Sequence, residues 1–129
     1  MSDEAPAIRG IAALAVDCAD PEGLARWWSR LLGGSVEVDA QGVATLRSAD
    51  GLAIDFARVP DQKVVKNRLH LDLRSSDLRA ATEQALALGA TRADDVYDGG
   101  VWQVLRDPEG NEFCLLRPPG GQASAPSPG

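Results

Sequence analysis

The chain has little basic charge, almost no cysteine and a single histidine. Its 129 residues carry 13 Lys and Arg against 19 Asp and Glu, a formal net charge of −6. Nucleic-acid binders present a basic face, so this balance argues against such a partner. It argues equally against anionic membrane surfaces. No apolar run approaches the ~20 residues that a membrane-spanning helix needs. The opening MSDEAPAIRG is acidic and lacks the hydrophobic stretch of a signal peptide, so cytoplasm is the expected compartment. Cys18 and Cys114 are too few for a disulfide framework and read as reduced thiols. No G-x-S-x-G elbow and no glycine-rich loop between strand and helix is present, which leaves serine acyl transfer and phosphate cradling without a motif. His70 is the only histidine, so imidazole chemistry, if there is any, rests on it.

What the chain does have is a repeat. DCADPEGLARWWSRLLGG at 17–34 is answered by RSSDLRAATEQALALGA at 74–90, and GLAIDFARVP at 51–60 by GNEFCLLRPP at 110–119. Each copy reads as strand, helix and three strands, and each is too small to bury its apolar face well alone. The expected organisation is one domain over 1–119, made of modules at 8–60 and 67–118. The final stretch 120–129, rich in Pro, Gly, Ser and Ala, reads as a disordered tail.

Local signals fix the elements. Asp20 is an N-cap, Pro21 stands at the first helical position and Glu22 in the positive first turn. Leu24, Trp27, Trp28, Leu31 and Leu32 share a helix face, and Gly33 and Gly34 end it. Because Trp27 and Trp28 are adjacent, one is expected to anchor the core and the other to cover a sheet edge or subunit contact. A strand over 8–18, apolar on both faces, precedes this helix. Strands near 35–40, 43–48 and 52–59 follow, with turns at Ala40-Gln41-Gly42 and Asp50-Gly51. The second copy begins with the strand LHLDLR at 69–74. Its helix runs from Asp77 to Leu88 and stops at Gly89. Strands near 92–97, 101–106 and 112–117 complete it.

Period-2 alternation sorts the faces. Leu69, Leu71 and Leu73 are expected to point at the helix-covered core, and Arg68, His70, Asp72 and Arg74 away from it. Burying that many unpaired charges is too costly, so their face is open solvent or the wall of a wet cleft. The same parity gives this wall Ile11, Ala13, Ala15 and Asp17, then Ala53, Asp55 and Ala57, then Glu112, Cys114 and Leu116.

On the segments DCADPEGLARWWSRLLGG, RVPDQKVVKNRLHLDL and WQVLRDPEGNEFCLL, the chain resembles the vicinal-oxygen-chelate superfamily over about 110 residues. That is the glyoxalase, bleomycin-resistance-protein and extradiol-dioxygenase group, and the match is to its glyoxalase-like branch. The resemblance implies an α+β fold of two paired βαβββ modules forming a U-shaped mixed sheet around a cleft. In the group's metal enzymes, ligands come from the first and last strand of each module, usually two His (or His and Gln) and two Glu. Those places here are Ala13, Asp55, His70 and Cys114. Only His70 is retained. Ala13 has no donor, Asp55 is a methylene shorter than Glu, and Cys114 is soft where the family uses a hard carboxylate. No cofactor is therefore expected. The alternative is a divalent metal on Asp55, His70 and Cys114, the donor count of catalytic zinc.

The expected function is binding of a small molecule, with sequestration of a toxic or antibiotic-like compound, as in the family's resistance proteins, as one implied role. Asp55, Arg68, His70, Trp102, Cys114 and Leu116 are the expected ligand contacts. For Trp102 the structural alternative, core packing, is the favoured one. The basic connector with Lys63, Lys66 and Arg68 would suit a carboxylate or phosphate, or is simply a solvated linker. The rival reading is a lyase or isomerase in which His70 is a general acid/base and Asp72 fixes its tautomer, with or without a divalent ion. A small molecule and a second copy of the chain in a homodimer are the expected partners.

Overall fold

A computed structural model describes residues 7–118. The tail expected at 120–129 and the domain end expected at 119 lie outside the described residues. The chain divides into two compact units that part between Arg58 and Val59.

The first unit contains β1 (Leu14–Cys18), α1 (Pro21–Leu32), β2 (Gly34–Val38), β3 (Ala44–Ser48) and β4 (Ala53–Arg58). β1 lies parallel to β4, and β4, β3 and β2 are antiparallel neighbours, giving the order β1-β4-β3-β2. The Asp20 carboxylate accepts from the Gly23 amide at 3.1 Å, and Gly33 closes the helix. α1 packs on all four strands and buries Leu24 and Ala25, while the strands bury Ala44, Leu46, Ile54 and Phe56. Cys18 is buried, as parity requires, and its thiol donates to the Ala57 carbonyl at 3.7 Å.

Two expectations are corrected in this unit. Both tryptophans are interior, each 4% exposed, because their rings meet edge to face at 81° with centroids 5.3 Å apart. That arrangement lets neighbouring aromatics share one core position's depth. β1 is shorter than 8–18, and its Ala15 and Asp17 are exposed, so the strand is covered on one face only. Asp20→Ala should lower stability by ~1 kcal/mol through loss of the cap. Chemical denaturation reads this directly, and an unchanged midpoint would refute the capping role.

The second unit repeats the connectivity with β5 (Asp72–Arg74), α2 (Leu78–Leu88), β6 (Thr91–Arg92), β7 (Gln103–Arg106) and β8 (Glu112–Leu116). β5 is parallel to β8, the rest antiparallel, in the order β5-β8-β7-β6. The fold is thus α+β, two βαβββ units with one four-stranded mixed sheet each. Asp77 caps α2 by accepting from the Ala80 amide at 3.2 Å. Gly89, with φ at 115°, ends it in a left-handed conformation that a β-carbon would disfavour. α2 packs against β8, whose Phe113 and Leu115 are buried.

The strand expected at 69–74 starts only at Asp72. Residues 68–69 bend, Leu69 is 81% exposed, and Leu71 and Leu73 are half-buried. The physical cause lies upstream. Asn67 is held to Glu112 by its amide at 2.9 Å and its side chain at 3.4 Å, so the chain turns before joining β8. The ladder resumes at Leu71, whose carbonyl accepts from the Cys114 amide at 2.9 Å. The strand expected at 92–97 also ends early, after Arg92. Turn bonds from Val96 and Tyr97 to the Ala93 carbonyl replace it, at 2.9 and 3.3 Å.

Candidate functional site

β5 and β8 set the site's floor. Asp72 and Cys114 are register partners on these parallel strands, so their side chains share a face. Across β8, Val104 of β7 pairs with Cys114 on that face, while Leu105 pairs with Phe113 on the other. Ala93, Val104 and Cys114 form a small buried cluster, with Val96, Tyr97 and Leu116 packed against it. Above it opens a cavity of about 430 Å³, lined on its polar side by Lys66, His70 and Asp72. The volume falls in the range of small-molecule pockets.

The polar side is connected. His70 Nδ1 lies 2.9 Å from Asp72 Oδ1 and 3.8 Å from Cys114 Sγ. Burial and the Asp72 carboxylate push the Cys114 thiol up to about 11, with Lys66 opposing weakly. At neutral pH Cys114 is therefore a protonated thiol, unsuited to act as a free nucleophile. His70 and Asp72 stay partly open to solvent, so a bound molecule can reach them.

The same cavity has an aromatic lining. Tyr97 and Trp102 stack face to face, 3.9 Å apart and 4° from parallel. Both flank the turn Asp98-Gly99-Gly100. A β-carbon at Gly99 would come within 2.2 Å of the Tyr97 hydroxyl oxygen, so glycine allows this close approach. Arg117 holds the same turn by donating to the carbonyls of Gly100 and Val101 at 2.9 and 3.1 Å. Trp102 is 38% exposed, so the core role favoured for it is corrected: the bend before β7 turns it outward onto the pocket.

Glu112 also lines the site. Its carboxylate, 4% exposed, accepts from the Asn67 amide and pairs with Lys63 at 3.1 Å and Arg106 at 3.2 Å. Burial alone would raise its pKa. The Asn67 amide, the Lys63 ammonium, its own backbone amide and the Arg106 guanidinium outweigh burial and bring it to about 2. Arg106 also grips Asp95 through two bonds, 3.0 and 2.8 Å, which fixes the turn carrying Val96 and Tyr97. The Arg106 bond holds the Asp95 carboxyl below its ordinary value.

Of the expected contacts, His70, Asp72, Trp102, Cys114 and Leu116 come together in this pocket. Arg68 does not; it is exposed in the bend, and Lys66 takes the cationic position. Lys63 belongs to the Glu112 network and acts structurally. Asp55 sits on β4 of the first unit and accepts from the Thr45 hydroxyl at 2.5 Å. The sequence reading missed Tyr97 and Val96. Two aromatics bracketing a double glycine, in YDGGVW, were the available signal for Tyr97; Val96 had none.

The four-donor hard metal centre that the resemblance implies does not fit these residues. Ala13 has no donor, and Asp55 is engaged by Thr45. The carboxylate set beside His70 and Cys114 is Asp72, and one potential donor atom from each of the three lies within 4.8 Å of the others. A group of metal-capable donors is present, with a composition different from the expected one.

Known proteins share this architecture. The manganese and sulfate complex of the fosfomycin resistance protein FosX from Listeria monocytogenes superposes with a TM-score of 0.70 at 15% identity, covering 89% of this chain and 94% of that one. A possible glyoxalase from Bacillus cereus gives 0.62 at 14% identity, over 84% and 99%. A glyoxalase/bleomycin resistance protein/dioxygenase superfamily member from Sphaerobacter thermophilus gives 0.65 at 16%, over 85% and 98%. No curated protein matches the sequence. Among the described residues no helix is long and apolar enough to cross a membrane. The family model for the glyoxalase-like domain matches residues 13–116, nearly the whole described chain, and the protein belongs to that family within the vicinal-oxygen-chelate superfamily.

Proposed function

We propose that the pocket of the second unit binds a small organic molecule with a flat apolar portion, without the family's four-donor metal centre. Sequestration of a toxic or antibiotic-like compound is the role this reading carries. The observation behind it is that the stacked Tyr97–Trp102 pair and the His70–Asp72 pair line one cavity. A planar group can continue the aromatic stack, while the imidazole and carboxylate orient its polar end. Resistance proteins among the structural relatives lend support. Homodimeric assembly and a cytoplasmic location belong to the same proposal and rest on the sequence alone.

A thermal-shift screen of aromatic compounds tests it. A ligand at 100-fold its Kd should add ~2.7 kcal/mol of stability. Trp102→Ala should weaken the same ligand by ~0.5–1.5 kcal/mol, the value of an aromatic contact. Compounds that stabilise Trp102→Ala as well as the parent would remove this pocket from consideration.

The second reading is an acid/base lyase or isomerase, favoured by one geometric fact. Asp72 engages Nδ1 of His70, which leaves Nε2 as the ring nitrogen available to a substrate. Under that reading His70→Ala abolishes turnover while binding persists.

A further inference from the structure

We propose that His70, Asp72 and Cys114 form a three-donor site for a borderline divalent cation of the zinc class, built wholly within the second unit. The site shares His70, Asp72 and their cavity with the organic-ligand reading but does not require it, and it differs in donors from the family's four-place centre.

The strand geometry makes the site. Asp72 and Cys114 are opposed on parallel neighbours, and His70, two residues before Asp72, reaches the same face. The Cys114–Leu71 backbone bond between them ties the frame together. His70 Nδ1 stands 2.9 Å from the Asp72 oxygen and 3.8 Å from the Cys114 sulfur, and all three atoms fall within 4.8 Å. Donors around a tetrahedral zinc, bonded at ~2.0–2.3 Å, lie about 3.3–3.7 Å from one another. Bringing the three atoms to that spacing needs shifts of about 1 Å or less, well within side-chain rotation. The cavity above supplies room for a fourth, exchangeable position.

The donor set selects the metal. Thiolate and imidazole suit zinc and cobalt, whereas magnesium, calcium and manganese prefer all-oxygen surroundings. Binding replaces the thiol proton by the ion, and that proton leaves to solvent. His70 would give up its hydrogen bond to Asp72 and take the ion on Nδ1, the imidazole proton moving through solvent to Nε2. The site then carries thiolate and carboxylate against a dication and is neutral overall.

Cobalt titration of the chelator-treated full chain is the test. The expected result is one ion per chain, with a near-ultraviolet thiolate-to-cobalt charge-transfer band that zinc bleaches and equimolar manganese does not. Cys114→Ser should remove the band, leaving Cys18 as the only thiol. Asp72→Asn, at an exposed position that does not endanger folding, should weaken cobalt binding about tenfold or more. Asp55→Ala in the first unit should leave the affinity unchanged. Far-UV circular dichroism verifies that each variant is folded. The proposal is overturned by a cobalt complex without the band, by a band that survives Cys114→Ser, or by a loss in Asp55→Ala equal to that in Asp72→Asn. Absence of cobalt binding at millimolar concentration and neutral pH overturns it as well.

Discussion

Glu112→Gln is expected to destabilise the protein by ~3 kcal/mol at pH 7 and to flatten its acid sensitivity. The folded carboxyl titrates at about 2, against an ordinary value of 4.5, and each unit is worth ~1.4 kcal/mol. The carboxylate is buried, and loss of its charge leaves Lys63 with only the Val65 carbonyl and Arg106 with Asp95 as its one remaining ion partner. Because the folded pKa is depressed, this stabilisation is complete above pH 4.5 and is lost as the pH falls from there toward 2. Urea unfolding of both proteins at pH 7 and at pH 3 measures it. The gap between them should narrow markedly at pH 3. A gap of equal size at both values would mean that shape, rather than charge, makes Glu112 matter. The effect should also reach the pocket, since Arg106 links Glu112 to Asp95 and so to the turn bearing Tyr97.

Glu112 also marks the boundary of what the sequence made legible. The helices were readable because their starts and stops are local chemistry: Asp20 and Asp77 cap, Gly33 and Gly89 terminate. The face of β8 was readable because alternation is a local rule, and Cys114 and Leu116 line the pocket as parity requires. The connector was not readable. Its course is set by Asn67 binding a residue 45 positions away, a contact that no periodicity encodes. That contact converts half of the expected LHLDLR strand into a bend and turns Arg68 away. The aromatic wall escaped for a similar reason. Tyr97 was assigned to a strand, yet the Asp95–Arg106 pair and the Gly99-Gly100 turn swing it onto Trp102. Trp27 and Trp28 show the limit of a helical-wheel argument, which counts angles and ignores how two large rings interlock.

Phe113→Ala should be the most damaging single truncation in the second unit, costing ~3–5 kcal/mol. Phe113 is fully buried, lies opposite Leu105 on β7, and belongs to the β8 strand against which α2 packs. Removing its ring leaves a cavity bounded by a paired strand and a helix, neither free to collapse into it. Leu71→Ala is the informative partner. Strict alternation would make Leu71 an equal member of that core, with a cost of ~2–5 kcal/mol. In the folded chain Leu71 is only half-buried, beside the bend that exposes Leu69, so its loss should fall at or below ~2 kcal/mol. Its carbonyl bond to Cys114 survives the substitution, which leaves the β5–β8 frame and the His70–Asp72 pair in place. Denaturation midpoints of the two variants give the comparison. Equal losses would mean that Leu71 is as deeply buried as Phe113 in solution and that the strand begins where the alternation starts, at Leu69.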